Sequence, residues 1–111
     1  MAVNSKRKGA AGERELAHKL NEYGFATRRS VQYHGKADEG QADLLGLTGI
    51  HIECKRVERL NIDWAMAQAI NDAKTGEMPT VFHRRNGKKW LVTMLLTDWV
   101  ELYKEFKEAE K

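Results

Sequence analysis

A single cysteine, Cys54, stands among 111 residues, which excludes both an internal disulfide and a thiolate cluster around zinc. Stability must therefore come from packing. Long apolar runs are also missing: the uncharged segment 91–97 is far shorter than the roughly 20 residues a membrane span needs, and no apolar targeting segment follows Met1. A cytoplasmic protein is expected. The chain shows no internal repeat, no low-complexity tract and no linker, and its length suits one modest core, so residues 1–111 read as a single domain. Residues 1–9 read as a basic, flexible N-terminal arm ahead of it. The excess of positive charge is small, +3 with a pI near 9.1, compatible with nucleic acid but too weak to indicate it alone. With 41% hydrophobic and 32% charged residues, the chain should fold as a soluble globule with an ionic surface.

The charges are unevenly distributed. Lys6, Arg7 and Lys8 open the chain, Arg14 follows, Arg28 and Arg29 are adjacent, and Arg56 comes just after a Glu-x-Lys segment. Each cluster alone reads as a solvated face; together they suit phosphate contacts that give salt-dependent binding with little sequence preference. Leu16, Leu20 and Tyr23 recur at helical spacing and Gly24 can take a left-handed cap, which predicts a first helix over 10–23. Glu13 lies on the apolar stripe of that helix and needs a partner, whereas Glu15 and Glu22 can face water. A strand over 25–31 and a glycine-rich, charged loop over 32–41 follow. Thr48 and Gly49 separate two strand-like runs, 42–47 and 50–56, as in an antiparallel hairpin. Asn61 can cap a second helix reaching about residue 75, with Ile62, Ala65, Met66, Ala69, Ile70 and Ala73 buried and Gln68 at the edge. Asn86-Gly87 predicts a second hairpin between 79–84 and 89–94. Thr97 can cap a last helix carrying Trp99, Leu102, Tyr103 and Phe106. The predicted order is αβββαββα, an α/β fold with a central mixed sheet flanked by helices.

Chemistry concentrates where strand alternation puts Glu53 and Lys55 on one face, beside a strand carrying Asp43, with Glu13 approaching from the first helix. Converging carboxylates repel and resist burial unless protons or a divalent cation neutralise them. Mg2+, with Mn2+ as a substitute, prefers such oxygen ligands. Asp43 and Glu53, Glu13 directly or through water, and the backbone carbonyl of Cys54 are the expected ligands. Lys55 can then orient the attacking water or offset charge developing on a phosphodiester. With eleven glutamates and eleven lysines the tripeptide alone means little, and Glu105-Phe106-Lys107 repeats it on a helix without an acidic strand nearby. The bland alternative is an ion pair on a solvent-facing sheet. His34 reads as an exposed loop histidine, and His18, His51 and His83 lack metal-ligand spacing and read as surface or packing residues. Trp64, Trp90 and Trp99 fall in regular elements and read as core or interface aromatics.

Lys6-Arg7-Lys8-Gly9, Gly12-Glu13-Arg14-Glu15-Leu16, Gly24-Phe25, Arg29-Ser30, Ala42-Asp43-Leu44 and Ile52-Glu53-Cys54-Lys55 together resemble the archaeal and phage Holliday junction resolvases of the PD-(D/E)XK nuclease superfamily. The resemblance is detailed over the first half and extends to element order in the second. It implies a restriction-endonuclease-like fold with a five-stranded sheet. It further implies a Mg2+-dependent homodimer making paired symmetric nicks in four-way DNA junctions, in recombination and repair, in the nucleoid or an infected host's cytoplasm. Glu13, Asp43, Glu53 and Lys55 match the family's catalytic positions, and Ser30 and Gln68 fall near auxiliary ones. Ala42 replaces the proline of the superfamily name, a residue that shapes backbone and does no chemistry. Two rivals stand beside this expectation: an endonuclease of the same superfamily without junction specificity, and a non-catalytic DNA-binding module. Either the alanine face of the second helix or the third helix can supply a dimer contact.

Overall fold

A computed structural model describes residues 5–30 and 42–110, with side chains from residue 9 onward. The order is α1 (Ser5–Asn21), β1 (Arg28–Arg29), β2 (Leu44–Leu45), β3 (Ile50–Arg56), α2 (Ile62–Asp72), β4 (Met78–Arg84), β5 (Leu91–Met94) and α3 (Leu96–Ala109). The strands form one sheet in sequence order, antiparallel throughout except for the parallel β3–β4 pair. That pair needs a crossover, and α2 provides it.

Alternation along β3 divides the core. On one face Ile52 meets Leu44, Phe82 and the α1 residues Leu16 and Ala17; on the other, Ala65 and Ala69 of α2 lie against Val81. Small residues on α2 let the helix approach closely, and Asn61 caps it by accepting the Trp64 N–H at 3.0 Å. Gly12 allows a similar approach on the other face, since a Cβ there would lie 2.6 Å from Arg56 Cβ.

Several boundaries differ from expectation. The first helix starts at Ser5, so residues 5–9, assigned to an arm, continue α1; alanine, lysine and arginine favour helix strongly enough to carry it through Gly9. It stops at Asn21, and Tyr23 is exposed rather than packed. Asn21 explains the stop: its carbonyl oxygen accepts the Thr27 N–H at 2.7 Å and its amide donates to the Thr27 carbonyl at 3.0 Å, closing the turn around Gly24 (φ 99°). The first strand shrinks to two residues, Phe25 being exposed and Val31 outside the described residues, as are the expected loop and His34. Ile70 on α2 is exposed because the helix turns Ala65 and Ala69, with Ile62 and Met66 beside them, toward the sheet. Leu95, not Thr97, precedes α3, and no side chain caps it. The largest difference is that α3 buries none of its residues: Trp99, Leu102, Tyr103 and Phe106 face outward.

Candidate active site

The site forms where the β2–β3 ladder ends. Leu44 pairs with Ile52, but the next rung is replaced: the Asp43 N–H bonds to the Ile52 carbonyl at 2.9 Å, and the Cys54 N–H donates to Asp43 Oδ2 at 2.8 Å. A strand residue directs its N–H and C=O to the same side. The Cys54 carbonyl therefore leaves β3 toward Asp43, beyond the last rung. Behind Asp43, Ser30 ties the segment down: its N–H bonds to the Asp43 carbonyl at 3.1 Å and its hydroxyl donates to the Ala42 carbonyl. In this arrangement Ser30 holds the backbone that presents Asp43.

Asp43 and Glu53 are brought close enough to repel. Burial, then the Glu53 charge, with a smaller contribution from Glu13, push the Asp43 carboxyl up to about 7, against the Cys54 N–H and the Lys55 charge, which favour ionisation. Burial likewise pushes the Cys54 thiol up, which makes it inert and leaves only its backbone to act. Glu53 is 2% exposed and its Oε1 accepts from His51 Nε2 at 2.9 Å. His51 was expected at the surface or in packing; it is fully buried beneath Glu53, with Glu77 3.8 Å from its other ring nitrogen. Burial alone would lower its pKa, but the hydrogen bond and charge of Glu53, with Glu77 and Asp72, hold it above the usual value. The signal was present in the sequence, because residues two apart on a strand share a face.

Glu13, expected to need a partner, has Arg29, whose Nε–H donates to its Oε1 at 2.8 Å. Glu15, expected to face water, instead joins α1 to the sheet through Arg56 at 3.3 Å and Arg84 at 2.9 Å. Arg29 and Arg56 thus orient acids as well as offering charge to a phosphate, while Arg14 and Arg28 are exposed. The side chains of Lys6, Arg7 and Lys8 lie outside the described residues. Lys55 Nζ sits 5.4 Å from the ring centroid of Trp64, which is 61% exposed and serves as a platform for the ammonium instead of joining the core. Gln68 is half-buried on α2 with its Oε1 enclosed and without a partner among the described residues. His18 is exposed beside Glu22, and His83 bonds to Thr93 Oγ1 at 2.8 Å; burial lowers its pKa. Trp90 packs against the core edge, whereas Trp99 is half-exposed and stacked on Tyr103.

Among the described residues, no three histidine, cysteine or acidic side chains are arrayed around a common metal position. Two carboxylates and a carbonyl nevertheless form the donor set of a hard cation that keeps several waters. The mutual repulsion at Asp43 is the stress such a cation relieves, so the residues fit magnesium better than a softer ion.

A family model described as "Phage putative PDDEXK endonuclease" matches residues 4–111. No curated protein sequence matches the chain. Among solved structures, the chain is similar to Archaeoglobus fulgidus Hjc, a Holliday junction resolvase from an archaeal hyperthermophile. The TM-score is 0.59 at 22% identity, covering 77% of this chain and 75% of that one. At this identity the likeness shows the fold, a restriction-endonuclease-like mixed five-stranded sheet flanked by helices. No described helix is long and apolar enough to cross a membrane.

Proposed function

We propose, from the premise that the chain belongs to the phage PD-(D/E)XK endonuclease family, that it hydrolyses DNA phosphodiester bonds with Mg2+ and, as a homodimer, nicks four-way junctions in the nucleoid or the cytoplasm of an infected host. The observation that carries this reading is the buried Asp43 beside Glu53, held up to about 7 by burial and by its neighbour's charge. Acids placed together at such a cost suit a cation site better than a structural ion pair. Asp43, Glu53 and the Cys54 carbonyl would hold the metal. When bound, it would polarise the scissile phosphate and acidify a water.

The chain's own residues supply the rest. Glu13, fixed by Arg29, adds negative potential at the rim, where it can hold a water of the metal's shell. Lys55, resting on Trp64, carries a mobile ammonium on the same face of β3 as Glu53, suited to orienting the nucleophilic water or offsetting charge on the phosphate. Arg14 and Arg28 offer exposed phosphate contacts. A two-fold pair would present two such sites to the symmetry-related strands of a junction.

The test is cleavage of a labelled four-way junction and a matched linear duplex, with Mg2+ or EDTA, beside Glu53→Gln. Metal-dependent paired nicks on the junction alone, lost in the variant, are expected. Equal cutting of both substrates would retain the nuclease and remove junction specificity; binding without cutting under every condition would leave a DNA-binding module.

A further inference from the structure

The C-terminal ends of the parallel strands β3 and β4 carry positive charge that the catalytic residues do not use. Arg84-Arg85-Asn86-Gly87-Lys88-Lys89 leads into the turn before β5, and Arg59 lies in the segment between β3 and α2. Arg59, Arg85, Lys88 and Lys89 are exposed and form no ion pair among the described residues. The acids at this end are largely occupied. Glu15 is held by Arg56 and Arg84, and Glu58 faces Arg56 at 3.8 Å while accepting the Asn86 N–H at 2.7 Å. Asp63, exposed in the first turn of α2, leaves one carboxylate against four cations.

These cations sit on a fixed support. The turn is closed by the Lys88 N–H on the Arg85 carbonyl at 3.1 Å and by the Arg84 guanidinium on the Lys88 carbonyl, with Gly87 at φ 70°. The Glu58–Asn86 bond then ties the hairpin to the segment after β3, so two parts of the chain share one cleft of about 360 Å³. Leu60, Ile62 and Leu91 line it on the apolar side, and Arg85, Lys88 and Lys89 on the charged side. His83 lines the same cleft and is the β4 partner of Lys55, so the cleft and the catalytic residues open on one face of the sheet. Val81 pairs with Glu53 and Arg85 follows it four positions later; at about 3.3 Å per residue the patch begins about 13 Å from Glu53 along the strands.

We propose that the β4–β5 hairpin, with Arg59, grips the phosphate backbone of the DNA arm beside the cut, about four nucleotides from the scissile phosphate at about 3.4 Å each. Like charges held together by a pinned turn repel one another, and a polyanion relieves that repulsion while releasing its own counterions. Because the turn is already closed, little chain freedom is lost when it binds. A duplex with its reacting phosphate at Glu53 and Lys55 extends past 13 Å on either side, which brings one arm within reach of the hairpin. Lysine and arginine on phosphate fix the register and orientation of that arm and read no sequence. The inference rests on the nuclease reading for DNA as the polymer and adds where the uncut arm is held; its test measures binding with cleavage switched off.

Binding of a labelled linear duplex and a four-way junction is measured in EDTA over a range of salt, with circular dichroism to verify folding. Arg85→Gln, Lys88→Gln and Lys89→Gln together, all at exposed positions, should raise Kd on the order of a hundredfold at about 0.1 M salt and lower the slope of log Kd against log salt by about 2.7. Lys74→Gln, Lys104→Gln and Lys107→Gln remove the same charge elsewhere on the surface and should leave the slope unchanged. With Mg2+ and saturating DNA the hairpin variant should cut at the wild-type rate with a raised KM, since a contact this far from the reacting atoms binds substrate and transition state alike. A wild type that binds neither DNA, an unchanged slope in the hairpin variant, or an equal fall in the control overturns the hairpin contact, whether or not the protein cuts. A hairpin-dependent slope in a protein that cuts nothing retains the contact and overturns the nuclease reading alone.

Discussion

Replacing Asp43 with asparagine should stabilise the metal-free protein, increasingly so as the pH rises. The unfolded aspartate loses its proton near 3.8 and the folded one at about 7, because burial and the charges of Glu53 and Glu13 oppose ionisation. Between those values only the folded state retains the proton, so unfolding releases it and stability falls as pH increases. Above about 7 both states are ionised and the loss is constant. At about 1.4 kcal/mol per pH unit the whole effect is about 4 kcal/mol, of which about 3 falls between pH 5 and pH 7. This is a large share of the roughly 5–15 kcal/mol that holds an ordinary domain together. Asparagine keeps an oxygen for the Cys54 N–H and removes the charge. Urea unfolding of both proteins in EDTA, at about pH 5 and pH 8, gives the stability gap at each pH. The gap should widen by about 3 kcal/mol toward pH 8, and Mg2+ or Mn2+ should narrow it by stabilising only the wild type. A gap independent of pH would refute the argument that Asp43 is the strained group.

Two further substitutions test the supports of the site. His51→Leu leaves the buried Glu53 carboxylate without its partner and should cost about 3 kcal/mol at pH 6. Because the folded His51 pKa lies above 6.5, the contribution of its protonation is present below that value and fades as pH rises through the folded one; a wild-type advantage that grows with pH would contradict this pairing. Gly46→Ala puts a Cβ 2.5 Å from the Ala26 carbonyl oxygen and 2.8 Å from Thr27 Cα at a φ of 121°. Neither backbone atom can move aside freely, so thermal unfolding should report a loss of about 3 kcal/mol, and a Tm matching wild type would show that the β1–β2 contact is looser than described.

The parts of the fold legible in sequence were those fixed by local rules. Alternation placed Glu53 and Lys55 on one face of β3, Asn61 announced α2, and Asn86-Gly87 marked the turn before β5, where Gly87 takes φ 70°. Long-range pairing was not legible. Nothing local to Glu15 indicates that Arg56 and Arg84 will meet it across 41 and 69 residues, and the Asn21 clamp on Thr27 that shortens the first strand depends on a turn whose closure composition does not encode. His51 was a different omission. Its spacing from Glu53 is visible, but its isolation from other histidines gives it no metal-ligand pattern. Beneath a carboxylate in a low-dielectric site, a histidine without metal spacing can still fix the orientation of a ligand.

The same distinction between local pattern and long-range context governs α3. Its apolar period predicts a buried stripe, and within one chain that prediction fails, with Trp99, Tyr103 and Phe106 all open to water. A surface helix that buries nothing is not stabilised by propensity alone at 14 residues, since isolated helices shorter than roughly 12–15 residues are marginal. An apolar period is therefore not by itself a record of burial: it reports helical spacing, and the packing of the fold decides which face is covered.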